Sequence, residues 1–178
     1  MTLGARSLST EPAEIVREIL IDLYAQIEDH VTPLARHHTG RLHCMRGCKQ
    51  CCQDDLTVFE AEAINIRHYH ADLLSKGSPH GPGACAFLDS EGACRIYNQR
   101  PYVCRTQGLP LRWLEQQDDG AVVEYRDICP LNETDQSLEE LTDEQCWPIG
   151  PVEETLAELQ QRLTPGKAER VPLRSLFG

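Results

Sequence analysis

Apolar side chains recur every four positions over residues 10–31, at Ile15, Ile19, Leu23 and Ile27 with Val31 following. That spacing predicts an amphipathic helix with Thr10 as its cap and Pro12 in its first turn. Pro33, lacking an amide proton, is expected to kink or end it, and Thr39-Gly40 to close the segment. A second helix is expected over about residues 58–75, opened by the capping-box pattern Thr57-x-x-Glu60 and facing inward with Phe59, Ala63, Ile66 and Tyr69. The stretch KGSPHGPGA, residues 76–84, is too rich in Gly and Pro for a regular element. Arg112–Leu114 and Val122–Tyr125 flank the turn-forming QQDDG and read as a β-hairpin, ended by Cys129-Pro130. Ser137-x-x-Glu140 predicts a short helical stretch. Pro151, Val152, Leu156, Leu159 and Leu163 predict a last helix, closed by Pro165-Gly166. No internal repeat is present. The expected fold class is α+β, mainly helical: a small, irregular domain with one β-hairpin.

The 178 residues fit one folding unit, but a modest core, with only ten aromatics, has to hold it. Within that unit residues 1–40 are expected to pack as a helix on the core, 41–132 to form a cysteine-cluster domain, and 133–178 to form an acidic C-terminal helical extension. Net charge is −11, which argues against nucleic acid, whose phosphates are recognised through positive charge. No apolar run is long enough for a membrane span, and the first residues lack the apolar stretch of a secretory signal, so the expected compartment is the cytoplasm. A protein partner is left open.

Nine cysteines change the picture. In a reducing compartment clustered cysteines bind metal or do redox chemistry more often than they form disulfides. Four fall within nine residues, Cys44-Met-Arg-Gly-Cys48-Lys-Gln-Cys51-Cys52, a density that packing does not demand. Gly47 suits a tight loop; a helical run would instead bring three of these sulfurs to one face. Adjacent Cys51 and Cys52 diverge in either geometry, so one of them is expected to serve a second site or to bridge. Cys85, Cys94, Cys104 and Cys129 supply the remaining donors for two tetrathiolate sites or one polynuclear centre. The radical S-adenosylmethionine spacing of Cys44, Cys48 and Cys51 lacks the βα barrel that should follow it. Cys48-Lys-Gln-Cys51 likewise lacks the βαβ context of a thioredoxin-like motif.

Charge is uneven around these cysteines. Residues 84–112 carry four arginines against Asp89 and Glu91, a net of +2, whereas residues 113–160 carry fourteen acids and one arginine, a net of −13. Arg95, Arg100 and Arg105 stand beside the cysteines, where positive charge favours the thiolate that ligates metal. His68 and His70 diverge on a helix and read, with His37 and His38, as surface residues; His43 alone is kept as a reserve ligand.

The strings CMRGCKQCC and CAFLDSEGACRIYNQRPYVCR resemble the YkgJ-type cysteine-cluster family, described as zinc- or iron-chelating. Cys85-Ala-Phe87-Leu88, Cys94-Arg-Ile96-Tyr97, Arg100-Pro101 and Cys104-Arg105 match its downstream motif, and Cys129-Pro130 matches its later cysteine. The resemblance covers about residues 41–132. Three residues separate Cys44 from Cys48 where the family commonly has two, and Cys146 lies outside the pattern. The eight cysteines Cys44, Cys48, Cys51, Cys52, Cys85, Cys94, Cys104 and Cys129 are thus the expected ligands of zinc or iron, the latter as an iron–sulfur cluster in one variant. Two readings follow. In the first the metal is structural in an interaction module, because closed tetrathiolate sites leave no open position. In the second the protein is an iron- or iron–sulfur-dependent enzyme, with Arg95, Arg100 and Arg105 holding an anionic ligand.

Overall fold

A computed structural model describes residues 11–45 and 47–178. Helix α1 (Glu11–His37) is followed by the first cysteine loop, then β1 (Thr57–Val58), α2 (Glu60–Tyr69) and α3 (Ala71–Lys76). After the second cysteine loop come α4 (Tyr102–Thr106), the hairpin β2 (Leu111–Gln116) and β3 (Val122–Asp127), β4 (Trp147–Pro148), α5 (Pro151–Leu163) and β5 (Val171–Pro172). The fold class is α+β, as the residue pattern requires.

The first expected helix is present, but its buried stripe is Val16, Leu20, Tyr24, Ile27 and Val31. Ile15 is 52% exposed. Both sets recur at near-helical spacing, and only the partners decide between them: Phe59, Tyr102, Leu109, Trp147, Leu156 and Leu159 pack on the second. The expected cap Thr10 lies outside the described residues. Pro33 does not end the helix, which runs on to His37. Pro33 and Asp29 both lie on the exposed side, where the carbonyl that loses its amide partner meets solvent rather than the core.

The second helix departs further from expectation. Thr57 does not cap it; Thr57 and Val58 pair antiparallel with Pro172 and Val171 of the C-terminal tail. The helix begins two residues later, at Glu60, and the Glu62 carboxylate accepts the Phe59 amide at 3.1 Å. It breaks at His70, leaving α3 as a separate turn and a half, and Tyr69 is 48% exposed. Five of its residues, Ala61, Glu62, Ala63, Asn65 and Ile66, are nevertheless buried, because α2 lies between two cores. One is the α1–α5 core. The other gathers Val58, Ala63, Ile66, Cys85, Phe87, Leu88 and Ile96 with Leu173 and Leu176 of the tail.

The hairpin forms as expected, with Trp113 opposite Tyr125 and Leu114 opposite Glu124. β4 adds to it in parallel, Leu111 opposite Trp147, giving the order β3-β2-β4. The segment 77–84 is irregular, Lys76 still ending α3, the 137–140 stretch is one 3-10 turn (Leu138–Glu140), and α5 closes ahead of Pro165. Among the described residues no helix is long and apolar enough to cross a membrane.

Candidate metal centre

The first cluster is a chain of turns, not a helix. The Cys48 amide donates to Met45 O at 2.9 Å and the Cys52 amide to Lys49 O at 2.9 Å, and Gly47 takes φ +90°. A backbone bond then joins the two motifs: the Cys85 amide donates to Cys52 O at 2.9 Å. Residues 85–95 fold back on themselves, with Leu88 bridging Cys94 and the Arg95 amide donating to Phe87 O. Asp89 Oδ1 accepts the amides of Glu91 and Ala93 inside that loop. α4 carries Cys104, and Cys129 precedes a 3-10 turn, Pro130–Asn132.

All nine cysteines are free thiols. Cys52 senses Cys51, Cys85 and Cys104, Cys104 senses Cys85, Cys94 and Cys51, and Cys94 senses Cys85. Cys44 senses Cys48, Cys129 and Cys51. Burial is the main force pushing the Cys44, Cys85, Cys94 and Cys104 thiols up, and neighbouring cysteines push each further. Cys52 donates a hydrogen bond to Cys51, which raises Cys52 and lowers Cys51. Among the described residues no three His, Cys, Asp or Glu side chains are drawn into metal-holding geometry. The donor chemistry still fits zinc or iron: soft sulfur ligands, partly buried, whose mutual repulsion as thiolates a cation would reverse. Cys146 stands apart. It is buried, and the charges around it are Arg126, Arg112, Glu124 and Asp143, with no cysteine among them.

The three arginines do not gather at one point. Arg105 and Arg100 both donate to Glu28 Oε1, at 2.7 and 3.1 Å, and stack over Tyr24 and Tyr97. Arg95 leaves in another direction, to Ser78 O and Ala86 O, with its guanidinium over Phe177. The histidines also disperse: His68 meets Arg17, His70 meets Gln99, and His43 is exposed. His38 corrects its reading as a surface residue, being 5% exposed and bonded to Gln145 O at 2.7 Å.

Four supporting residues carry no sequence signal of their own. Asn132, fully buried, donates through Nδ2 to Gly108 O at 2.8 Å and to Cys44 Sγ at 3.4 Å, while its Oδ1 accepts the His43 amide at 2.8 Å. Gly108 has φ +92°, and a Cβ there would stand 2.5 Å from Cys44 Sγ. Glu62, 1% exposed, accepts from Tyr24 Oη and from the Tyr102 amide, fastening the start of α4. Arg174 in the tail binds Asp54 and donates to the carbonyls of His80, Gly81 and Ala84. It thereby holds the irregular segment just ahead of Cys85.

Residues 43–146 match the model of the CxxCxxCC family, whose description is "Putative zinc- or iron-chelating domain". The chain belongs to this family. The match runs beyond residue 132 and ends on Cys146, so the acidic stretch that follows the hairpin falls within the CxxCxxCC domain. No curated protein and no solved structure matches the chain.

Proposed function

We propose that this CxxCxxCC protein binds zinc or iron through Cys44, Cys48, Cys51, Cys52, Cys85, Cys94, Cys104 and Cys129, and that the metal is chiefly structural. The observation that carries the reading is the linkage of these thiols. The Cys52–Cys85 backbone bond ties the two motifs together, and Asn132 holds Cys44 against the turn that follows Cys129. Metal bound there would join the first loop, the 85–95 loop, α4 and the end of the hairpin. These segments share few regular elements, so ligand binding confined to the folded state would add directly to stability. Residues 1–40, 41–132 and 133–178 then act as one folding unit around the centre. The compartment that suits this reading is a reducing one such as the cytoplasm, where clustered cysteines bind metal more often than they pair.

The enzymatic alternative needs free cationic groups for an anionic ligand. Arg100 and Arg105 are engaged by Glu28, and Arg95 by backbone carbonyls, which favours the structural reading.

Anaerobic purification with elemental analysis and a visible spectrum tests the proposal. Stoichiometric zinc or iron is expected, with Cys94→Ser and Cys104→Ser losing metal and Cys146→Ser keeping it. Iron with charge-transfer bands would identify an iron–sulfur centre. Metal-free protein whose melting temperature does not respond to chelator would overturn the proposal, and metal loss in Cys146→Ser would overturn the ligand set.

A further inference from the structure

The C-terminal half of α1 and the segment 143–152 leave between them an open groove of about 920 Å³. None of the eight proposed ligands lines it. Its floor is apolar, formed by Leu23, Leu34, Trp147 and Val152 among others, and three of these four are only half-buried.

The two walls share one sign of charge. Of the residues that line the groove, Asp29 on α1 and Asp143 and Glu144 opposite are acidic, against Arg112 alone among arginines and lysines. On the rim, Asp143 is taken up by Arg112 and Arg126. Asp29 and Glu144 are exposed and make no ion pair among the described residues. An apolar floor between acidic walls complements a helix with one apolar face and a basic remainder. A second copy of the chain would set −11 against −11, and nucleic acid or an anionic membrane would be repelled in the same way.

We propose that this groove docks a cationic amphipathic helix of a partner protein. Apolar residues of that helix at i, i+3 or i+4, and i+7 would seat on the floor, with its Lys or Arg side chains over Asp29 and Glu144.

The sequence has two tryptophans, so Trp113→Phe leaves Trp147 in the groove as the sole indole reporter. The probe is a synthetic Leu/Lys helix of roughly 14 residues, about four turns, titrated into the full metal-loaded chain; its Leu/Glu analogue is the control. The expected result is a saturable, one-to-one change in Trp147 emission with the Leu/Lys peptide alone. Asp29→Lys with Glu144→Lys should weaken it about tenfold, while Glu115→Lys with Glu133→Lys, an equal change in net charge away from the groove, should weaken it less than about twofold. Leu34→Asp tests the floor separately and should also abolish saturation. Equal weakening in both charge-reversed variants would reduce the effect to bulk charge and overturn the proposal. So would the absence of saturation, or equal binding of the Leu/Glu peptide.

Discussion

Asn132 and Cys44, 88 residues apart in the chain, meet at 3.4 Å between Nδ2 and Sγ, and the same amide holds Gly108 O and the His43 amide. One fully buried side chain therefore sets the start of the first cysteine loop against the turn that follows Cys129. Asn132→Ala strands the buried Gly108 carbonyl, at about 1–3 kcal/mol, and also frees the part-buried His43 amide. The expected outcome is a markedly lower melting temperature and a reduced metal-to-protein ratio. Retention of both would show that Asn132 does not position Cys44.

Gly108 offers a cleaner test, because a second glycine separates two effects. Gly108 and Gly120 both have positive φ, +92° and +84°, but only at Gly108 would a Cβ meet an atom, Cys44 Sγ. Gly120→Ala should cost only backbone strain, about 1–2 kcal/mol. Gly108→Ala adds a steric collision with the sulfur and should also lower metal content. Titration with a chromophoric chelator on the two variants makes the comparison, and equal metal affinity would contradict it.

Glu62 should leave a signature in the pH dependence of stability. Burial raises its folded-state pKa above the ordinary carboxylate value, against the pull of the Tyr102 and Phe59 amides, Tyr24 and Arg170. Cys104 senses its charge in turn. Between the unfolded and the raised folded value the native chain holds more proton than the unfolded chain, so this contribution to stability is full at low pH and is lost as pH rises. Glu62→Gln should consequently cost more at pH 5 than at pH 8, measured by denaturant unfolding at both values. A cost that grows with pH would reverse the sign of the shift.

Arg174 ties the C-terminal tail to the segment ahead of Cys85. Its removal takes away bonds to three carbonyls and to Asp54, and hydrogen bonds to charged groups are worth about 1.5–3 kcal/mol each. Arg174→Ala is expected to expose residues 76–84 to proteolysis and to raise their amide exchange, with α1 and α5 unaffected. Arg174→Lys should restore only part, since a single ammonium cannot span the same set of acceptors. Unchanged protection of 76–84 would contradict the clamp.

Local pattern by itself determined the elements whose signal is short-range. The QQDDG turn between alternating strands gave the hairpin, the Gly/Pro-rich run excluded regular structure from residue 77 to 84, and Leu156 and Leu159 marked the inner face of α5. The cysteine spacings likewise carried the family and its donor chemistry, because thiols at that density have little other use. Tertiary structure decided what local spacing leaves degenerate. Ile15, Ile19 and Leu23 form as good a helical stripe as Val16, Leu20 and Tyr24, and only the surfaces of α2, α4 and α5 chose the second. Thr57 and Val58 became a strand because a partner arrived from residues 171 and 172, more than a hundred positions away. Glu62 and Asn132 are polar residues that would be expected outside; they are buried because each finds at its site a set of backbone groups that nothing else satisfies. Arg100 and Arg105, close to the cysteines in sequence, turn to Glu28 of α1, since a carboxylate at hydrogen-bond distance outweighs the coulombic pull between Arg100 and Cys94.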